Sequence, residues 1–150
     1  MIKVCFVCHG NICRSPLAEY GLKNKIKKLN VENKFIIESK ATSFEEEGND
    51  MHPGTKRILK ENNIEFKTHR ATRLQKEDYN RYDYFICMDE NNMRNIMFIF
   101  DDDKEHKIFK LLKNKDVKDP WYTGNFDETY EDIDIGTDRL INMFKIEMEN

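Results

Sequence analysis

Hydrophobic and polar positions follow two rhythms along this chain. Lys3-Val4-Cys5-Phe6-Val7 is a β-branched and aromatic run without alternation, the pattern of a strand buried on both faces. Ser15-Pro16 then predicts a helix to about Asn30, with Ser15 as N-cap, Pro16 in the first helical position, and Leu17, Leu22, Ile26 and Leu29 as the apolar face. Phe35-Ile36-Ile37 reads as a second strand, followed by an irregular acidic loop from Ser43 to His52. Pro53 opens a helix to about Asn62, and another is expected around Lys76–Asn80. Tyr84–Met88 is the clearest remaining strand, Asp89 or Glu90 starts the next helix, and Ile108–Leu112 reads as a fourth strand. The loop Lys118–Gly124 precedes a long last helix, in which Tyr130, Ile133, Thr137, Leu140, Ile141, Phe144 and Met148 recur at helical spacing.

Strands alternating with helices, without repeats or linkers, predict one α/β domain over residues 1–150: a parallel sheet flanked by helices on both faces. In such sheets ligands bind at the carboxyl ends of the strands, where the strand order reverses. Composition supports a packed core, with 39% hydrophobic and 11% aromatic residues despite 35% charged ones. A net charge of −3 argues against a generalised attraction to nucleic acid. No apolar run approaches the roughly 20 residues of a membrane-spanning helix, and the first residues lack the pattern of a secretory signal. The expectation is a cytoplasmic protein with no nucleic-acid or membrane partner.

Chemistry concentrates at the end of the first strand, in Cys8-His9-Gly10-Asn11-Ile12-Cys13-Arg14-Ser15-Pro16. Cys5 and Cys8 have the spacing of a metal or redox pair, but on a strand they point to opposite faces. The histidines are scattered and supply no second pair at zinc spacing, so no metal is expected. One reading of Cys8 is a buried structural cysteine followed by an ordinary loop. The other is an anion cradle, in which a loop between a strand and a helix N-terminus turns successive backbone N–H groups inward. Gly10 and Asn11 supply unusual backbone conformations, and Arg14 closes the cradle with a two-pronged fork. Cys8 lies at its floor in surroundings that favour a thiolate, with Ser15 able to donate to the sulfur. The position between a strand and a Ser-Pro helix start favours this second reading.

Displacement at phosphorus by a thiolate expels an alkoxide or phenoxide, which needs a proton donor. Asp119, in Asp119-Pro120-Trp121-Tyr122, is the candidate, with Trp121 and Tyr122 as walls for an aromatic leaving group. A surface turn with its aromatics packed inward is the alternative for this stretch.

Cys8–Pro16 resembles the signature loop of the low-molecular-weight protein tyrosine phosphatases. Further similarities follow in family order in Glu38–Ser43, Thr68–Ala71, Lys76–Tyr79, Tyr82–Glu90 and Asp119–Tyr122. The resemblance implies a four-stranded parallel sheet in the order 2-1-3-4, and phosphotyrosine or aryl phosphate hydrolysis through a cysteinyl-phosphate with no metal or cofactor. It implies Cys8 as nucleophile, Arg14 as transition-state clamp and Asp119 as general acid and then base. Residues His9 to Ser15 would bind phosphate, supported by a polar network of Asn11, Ser15, Ser39 and His69. Ile12, Phe44, Trp121 and Tyr122 would wall the pocket, Phe44 standing in where Glu45 replaces an aromatic residue of many relatives. Expected partners are phosphotyrosine proteins or small phosphate esters, with inorganic phosphate as product and inhibitor, and a monomer or weak homodimer as the assembly.

Sister activities on the same scaffold are arsenate reduction, which needs further cysteines, and protein-arginine phosphatase activity, which goes with Thr where this chain has Ile12. A phosphate-binding module without turnover is the non-enzymatic alternative. Cys87 is expected in the core. Cys13 either lines the cradle as a spectator or forms a reversible disulfide with Cys8.

Overall fold

Every strand of the sheet runs in the same direction. The computed structural model describes residues 1–149. Strands β1 (Ile2–Cys8), β2 (Phe35–Ala41), β3 (Tyr84–Cys87) and β4 (Ile108–Lys110) form a four-stranded sheet in the order β2-β1-β3-β4, all parallel. Helices α1 (Arg14–Lys28), α2 (Pro53–Glu61), α3 (Glu90–Phe100), α4 (Pro120–Thr123) and α5 (Phe126–Glu149) connect and cover it. The predicted sheet order and both-face coverage are therefore observed.

Side chains of β1 alternate between two cores, as the pleat requires. Val4, Phe6 and Cys8 join Leu17, Leu22, Ile58, Leu59 and Phe144 on the face covered by α1, α2 and α5. Cys5 and Val7 face the other way, onto Leu74, Phe85, Ile96 and Phe100 beneath α3. Cys5 and Cys8 thus lie on opposite sides of the sheet. Because β1 pairs with β2 on one side and β3 on the other, the connections leave its end in opposite directions, and Cys8 sits at that divergence.

Local chemistry moved several element ends. Helix α1 begins at Arg14, one residue before the predicted cap, with Cys13 at the cap position and no capping side chain. Ser15 is inside the helix and turns its hydroxyl to the Cys8 sulfur instead. Pro16 in the first turn costs nothing, since those amides have no intrahelical acceptor. At its far end α1 stops at Lys28 because Asn30 takes a left-handed conformation (φ 58°), and Val31 and Asn30 donate back to Ile26 and Lys27. Leu29 is consequently exposed rather than part of the apolar face. Helix α2 ends on the same motif, with Asn63 left-handed and Ile64 and Asn63 donating to Leu59 and Lys60. Lys76–Asn80 is a 3₁₀ turn, not an α-helix, and the fourth strand ends at Lys110, two residues early. The segment read as a loop before α5 contains the short helix α4, capped by Asp119.

Candidate active site

The loop from His9 to Cys13 is held from behind by one buried residue. Asn11 is left-handed (φ 61°) and every polar group it has is engaged. Its N–H donates to Cys8 Sγ at 3.3 Å, and its carbonyl meets His69 Nε2 at 2.6 Å. Its side-chain amide donates to Ser15 Oγ (2.9 Å) and Ser39 Oγ (3.0 Å), while Oδ1 accepts the Thr72 N–H at 3.1 Å. Ser15 Oγ, having accepted from Asn11, lies 3.0 Å from Cys8 Sγ with its proton free to donate. Ser39 in turn donates to Glu19 Oε1 at 2.6 Å. All four predicted network residues therefore meet, joined by Glu19 and Thr72, which the sequence reading did not single out.

From the front, the start of α2 supports the same loop. His52 N–H donates to the Ile12 carbonyl at 2.9 Å, and Thr55 Oγ1 lies 3.3 Å from the carbonyls of Ile12 and Cys13. Gly10 corrects an expectation, because it is not left-handed. Its role is spatial: a Cβ there would come within 3.3 Å of Glu46 Cγ.

Arg14 is almost entirely buried, at 3% exposure. One nitrogen, Nη1, donates to Asp89 Oδ2 (2.7 Å) and to the Val117 carbonyl (2.8 Å). Nη2 lies 3.5 Å from Asp119 Oδ2. Burial opposes the guanidinium charge, but Cys8, Asp89 and Asp119 outweigh it and hold the Arg14 pKa above its ordinary value. Asp89 was legible only as a helix start. It is the N-cap of α3 through Oδ1, which accepts the Asn92 N–H at 2.7 Å, and the anchor of Arg14 through Oδ2.

Asp119 likewise divides its oxygens. Oδ1 accepts the Trp121 N–H at 3.0 Å as the cap of α4, and Oδ2 faces Arg14. A cavity of about 110 Å³ opens between the two loops, lined by Cys8, Ile12, Cys13, Arg14, Asp119 and Trp121, among others. Trp121 and Tyr122 stand at its mouth, 59% and 84% exposed, rather than packed into the core. His52 meets the Trp121 ring edge-on at 5.9 Å and stacks on Phe126 at 4.9 Å.

Phe44 is not among the lining residues; its ring lies under the Arg73 guanidinium at 4.7 Å. Glu45 and Glu46 take that side of the mouth, with Glu45 Oε2 3.0 Å from His9 Nε2. Burial and the neighbouring Cys8 push the Cys13 thiol up to about 12. Cys87 is fully buried in the core opposite Cys8, and burial drives its pKa up too.

Comparison with known proteins gives a consistent picture. A family profile described as low molecular weight phosphotyrosine protein phosphatase matches residues 3–150. The low molecular weight protein-tyrosine-phosphatase PtpA of Staphylococcus saprophyticus is 39% identical over 147 residues, covering 95% of this chain and 93% of its own. Among solved structures, YfkJ from Bacillus subtilis superposes with a TM-score of 0.93 at 34% identity, covering 98% of this chain and 96% of its own. The low molecular weight protein tyrosine phosphatase of Streptococcus pyogenes gives 0.88 at 39% identity, with coverage of 95% and 93%.

Proposed function

The chain belongs to the low molecular weight phosphotyrosine protein phosphatase family, and on that premise we propose that it hydrolyses phosphotyrosine and small aryl phosphates at Cys8. The observation that carries the assignment is the Cys8 sulfur, which accepts the Asn11 N–H and faces the Ser15 hydroxyl at the floor of a cavity walled by Arg14 and Asp119.

The Cys8 thiolate attacks phosphorus; an S–P bond forms as the P–O bond to the phenol breaks. Asp119 gives its proton to the departing oxygen. Arg14 has committed Nη1 to Asp89 and Val117, which leaves Nε–H and Nη2–H as the edge for two phosphoryl oxygens. Charge building on those oxygens is met by this fork and by the backbone N–H groups of the loop. In the second half, Asp119, now a carboxylate, takes a proton from water. The water oxygen bonds to phosphorus, the S–P bond breaks, and inorganic phosphate leaves with the Cys8 thiolate and protonated Asp119 restored. Phosphate fits the same cradle and is expected to inhibit competitively.

Ile12, Trp121 and Tyr122 present apolar surface to an aromatic ring, which supports the phosphotyrosine reading over a small polar ester. Protein-arginine phosphatase activity is the second reading, favoured by the Glu45 and Glu46 carboxylates at the mouth, which would face a guanidinium. An arsenate-reducing relay finds no support in Cys87, buried on the far side of the sheet. A cytoplasmic site of action belongs to the same proposal, and no described helix is long and apolar enough to cross a membrane.

The test is a hydrolysis profile over phosphotyrosine, phosphoserine and phosphoarginine peptides with Cys8→Ser as control. Phosphotyrosine is expected to be preferred, with turnover abolished in the variant. Activity surviving in Cys8→Ser would overturn the covalent route, and preference for phosphoarginine would install the second reading.

A further inference from the structure

Away from the cavity, a groove of about 980 Å³ runs between the second half of α1 and the segment that follows α2. Its floor is aromatic: Tyr20 and Phe66, both half-buried, meet edge-to-face at 6.3 Å. Its walls are basic. Lys23, Lys27, Lys28 and Lys67 line it against the single acid Glu65, a local charge of +3. The whole chain carries −3, so everything outside the groove sums to −6. A basic patch on an acidic protein therefore coincides with a concave, aromatic-floored site.

These lysines are largely uncommitted. Lys28 and Lys67 are exposed and have no acidic partner within 4.0 Å among the described residues. Lys27 meets Glu65 at 3.3 Å with both side chains well exposed, an ion pair worth little. Only Lys23 has a close partner, Glu19 at 2.6 Å, and it also sits 4.9 Å over the Tyr20 ring. The left-handed Asn30 and Asn63 end α1 and α2, and Asn63 lines the groove.

We propose that this groove docks an acidic protein segment carrying one apolar or aromatic anchor residue. The anchor would rest on Tyr20 and Phe66, with carboxylates against Lys27, Lys28 and Lys67. A bilayer surface is too flat to enter the concavity, and a long nucleic acid would meet the −6 of the surrounding surface. The catalytic mouth bears the opposite sign through Glu45, Glu46 and Asp119, so it turns away the same segment that the groove accepts. No residue lines both the groove and the catalytic cavity, and Lys27 lies thirteen positions along α1 from Arg14, about 20 Å at 1.5 Å per residue, so the two sites are distinct.

Binding, read without catalysis, tests this independently of the phosphatase reading. A dye-labelled peptide of glutamates flanking one phenylalanine is titrated with the protein and followed by fluorescence anisotropy. Wild type is expected to bind with a steep salt dependence. Lys27→Glu/Lys67→Glu, changed at two exposed positions, should bind at least about tenfold more weakly while aryl phosphate hydrolysis is unchanged. Replacing the peptide's phenylalanine by alanine should weaken binding as well, and inorganic phosphate should not displace the peptide. The proposal is overturned by undetectable binding, by equal affinity in the double variant, by displacement with phosphate, or by an oligonucleotide or a phosphatidylserine vesicle binding as tightly as the peptide.

Discussion

The Cys8 loop and the Asp119 loop face each other across one cavity, and they are built in opposite ways. Around Cys8, Asn11 and Ser15 are fully buried, and groups from α1, β2 and the His69–Thr72 segment converge on a five-residue turn. Around Asp119, a four-residue helix carries exposed aromatics and is tied down chiefly by its own cap and by Arg14. A cradle that must hold several donors in register gains from being over-determined. In the proposed mechanism Asp119 must admit a bulky substrate before it acts, which an open loop allows. That mechanism would set fixed geometry beneath phosphorus and adjustable geometry above it.

Breaking the fixed side should have the largest effect. Asn11→Ala removes three side-chain hydrogen bonds and places alanine in a left-handed conformation, so a stability loss of about 3 kcal/mol is expected. For a chain of this length that lowers Tm by roughly 6–12 °C, with turnover down about 10²-fold as the donors lose register. Asn11→Gly, which relieves only the backbone term, should recover part of the stability and little of the activity. Calorimetry and steady-state kinetics separate the two. If Asn11→Ala were as stable and active as wild type, the cradle would not be held from behind.

Breaking the open side should cost activity but little stability. Asp119→Ala is expected to slow hydrolysis by about 10²–10⁴ for phenols that leave poorly and much less for nitrophenol. Tm should fall by only a few degrees, since the loss is a helix cap worth about 1 kcal/mol. Equal losses across leaving groups would remove Asp119 from the proton-transfer role.

The smallest basal effect belongs to Cys13→Ser, which sharpens the comparison instead of breaking it. Cys13 stays a neutral thiol at neutral pH, since its pKa lies near 12 through burial and the charge of Cys8. Peroxide oxidation of Cys8 to a sulfenic acid removes that neighbouring charge. Cys13 sulfur can then bond to Cys8 sulfur as the sulfenic oxygen leaves as water. Peroxide inactivation should therefore be reversed by added thiol in wild type and become irreversible in Cys13→Ser, while untreated variants differ by no more than a few-fold in turnover. Equal recovery of both would make Cys13 a spectator.

Much of the fold was readable from β1, from Pro53 and from the spacing within α5, because burial imposes a period that residues reveal locally. The misplaced ends have two causes. Ser15 and Asp119 each had a local preference that a partner elsewhere in the chain overrode or reused, whereas Leu29 is exposed because Asn30 turns left-handed and ends α1 locally. Cys8, Arg14 and Asp119 were legible as one candidate site from their types and order, and the fold brings them to one cavity. Glu19, His52 and Thr72 were not, since nothing in a glutamate or a backbone amide announces that it will meet Ser39, the Ile12 carbonyl or Asn11 once the chain has folded. Phe44 shows the converse, an aromatic residue at a suggestive position that the fold turns toward Arg73 instead.

The two oxygens of Asp89 have a consequence for how occupancy of the cradle is felt elsewhere. One carboxylate caps α3 and also restrains the arginine that must reach for an anion, so the two tasks share a single rotamer. A shift of Arg14 toward bound phosphate would then be expected to reach the Asn92 amide through that rotamer. Hydrogen exchange of the first-turn amides of α3 should thus change when phosphate saturates the cradle, while those at the far end near Phe100 stay as they were. Asp89→Asn, which keeps an acceptor for the cap but drops the charge facing Arg14, should abolish that response. The helix start on the opposite core would then serve as a remote reporter of an anion that never touches it.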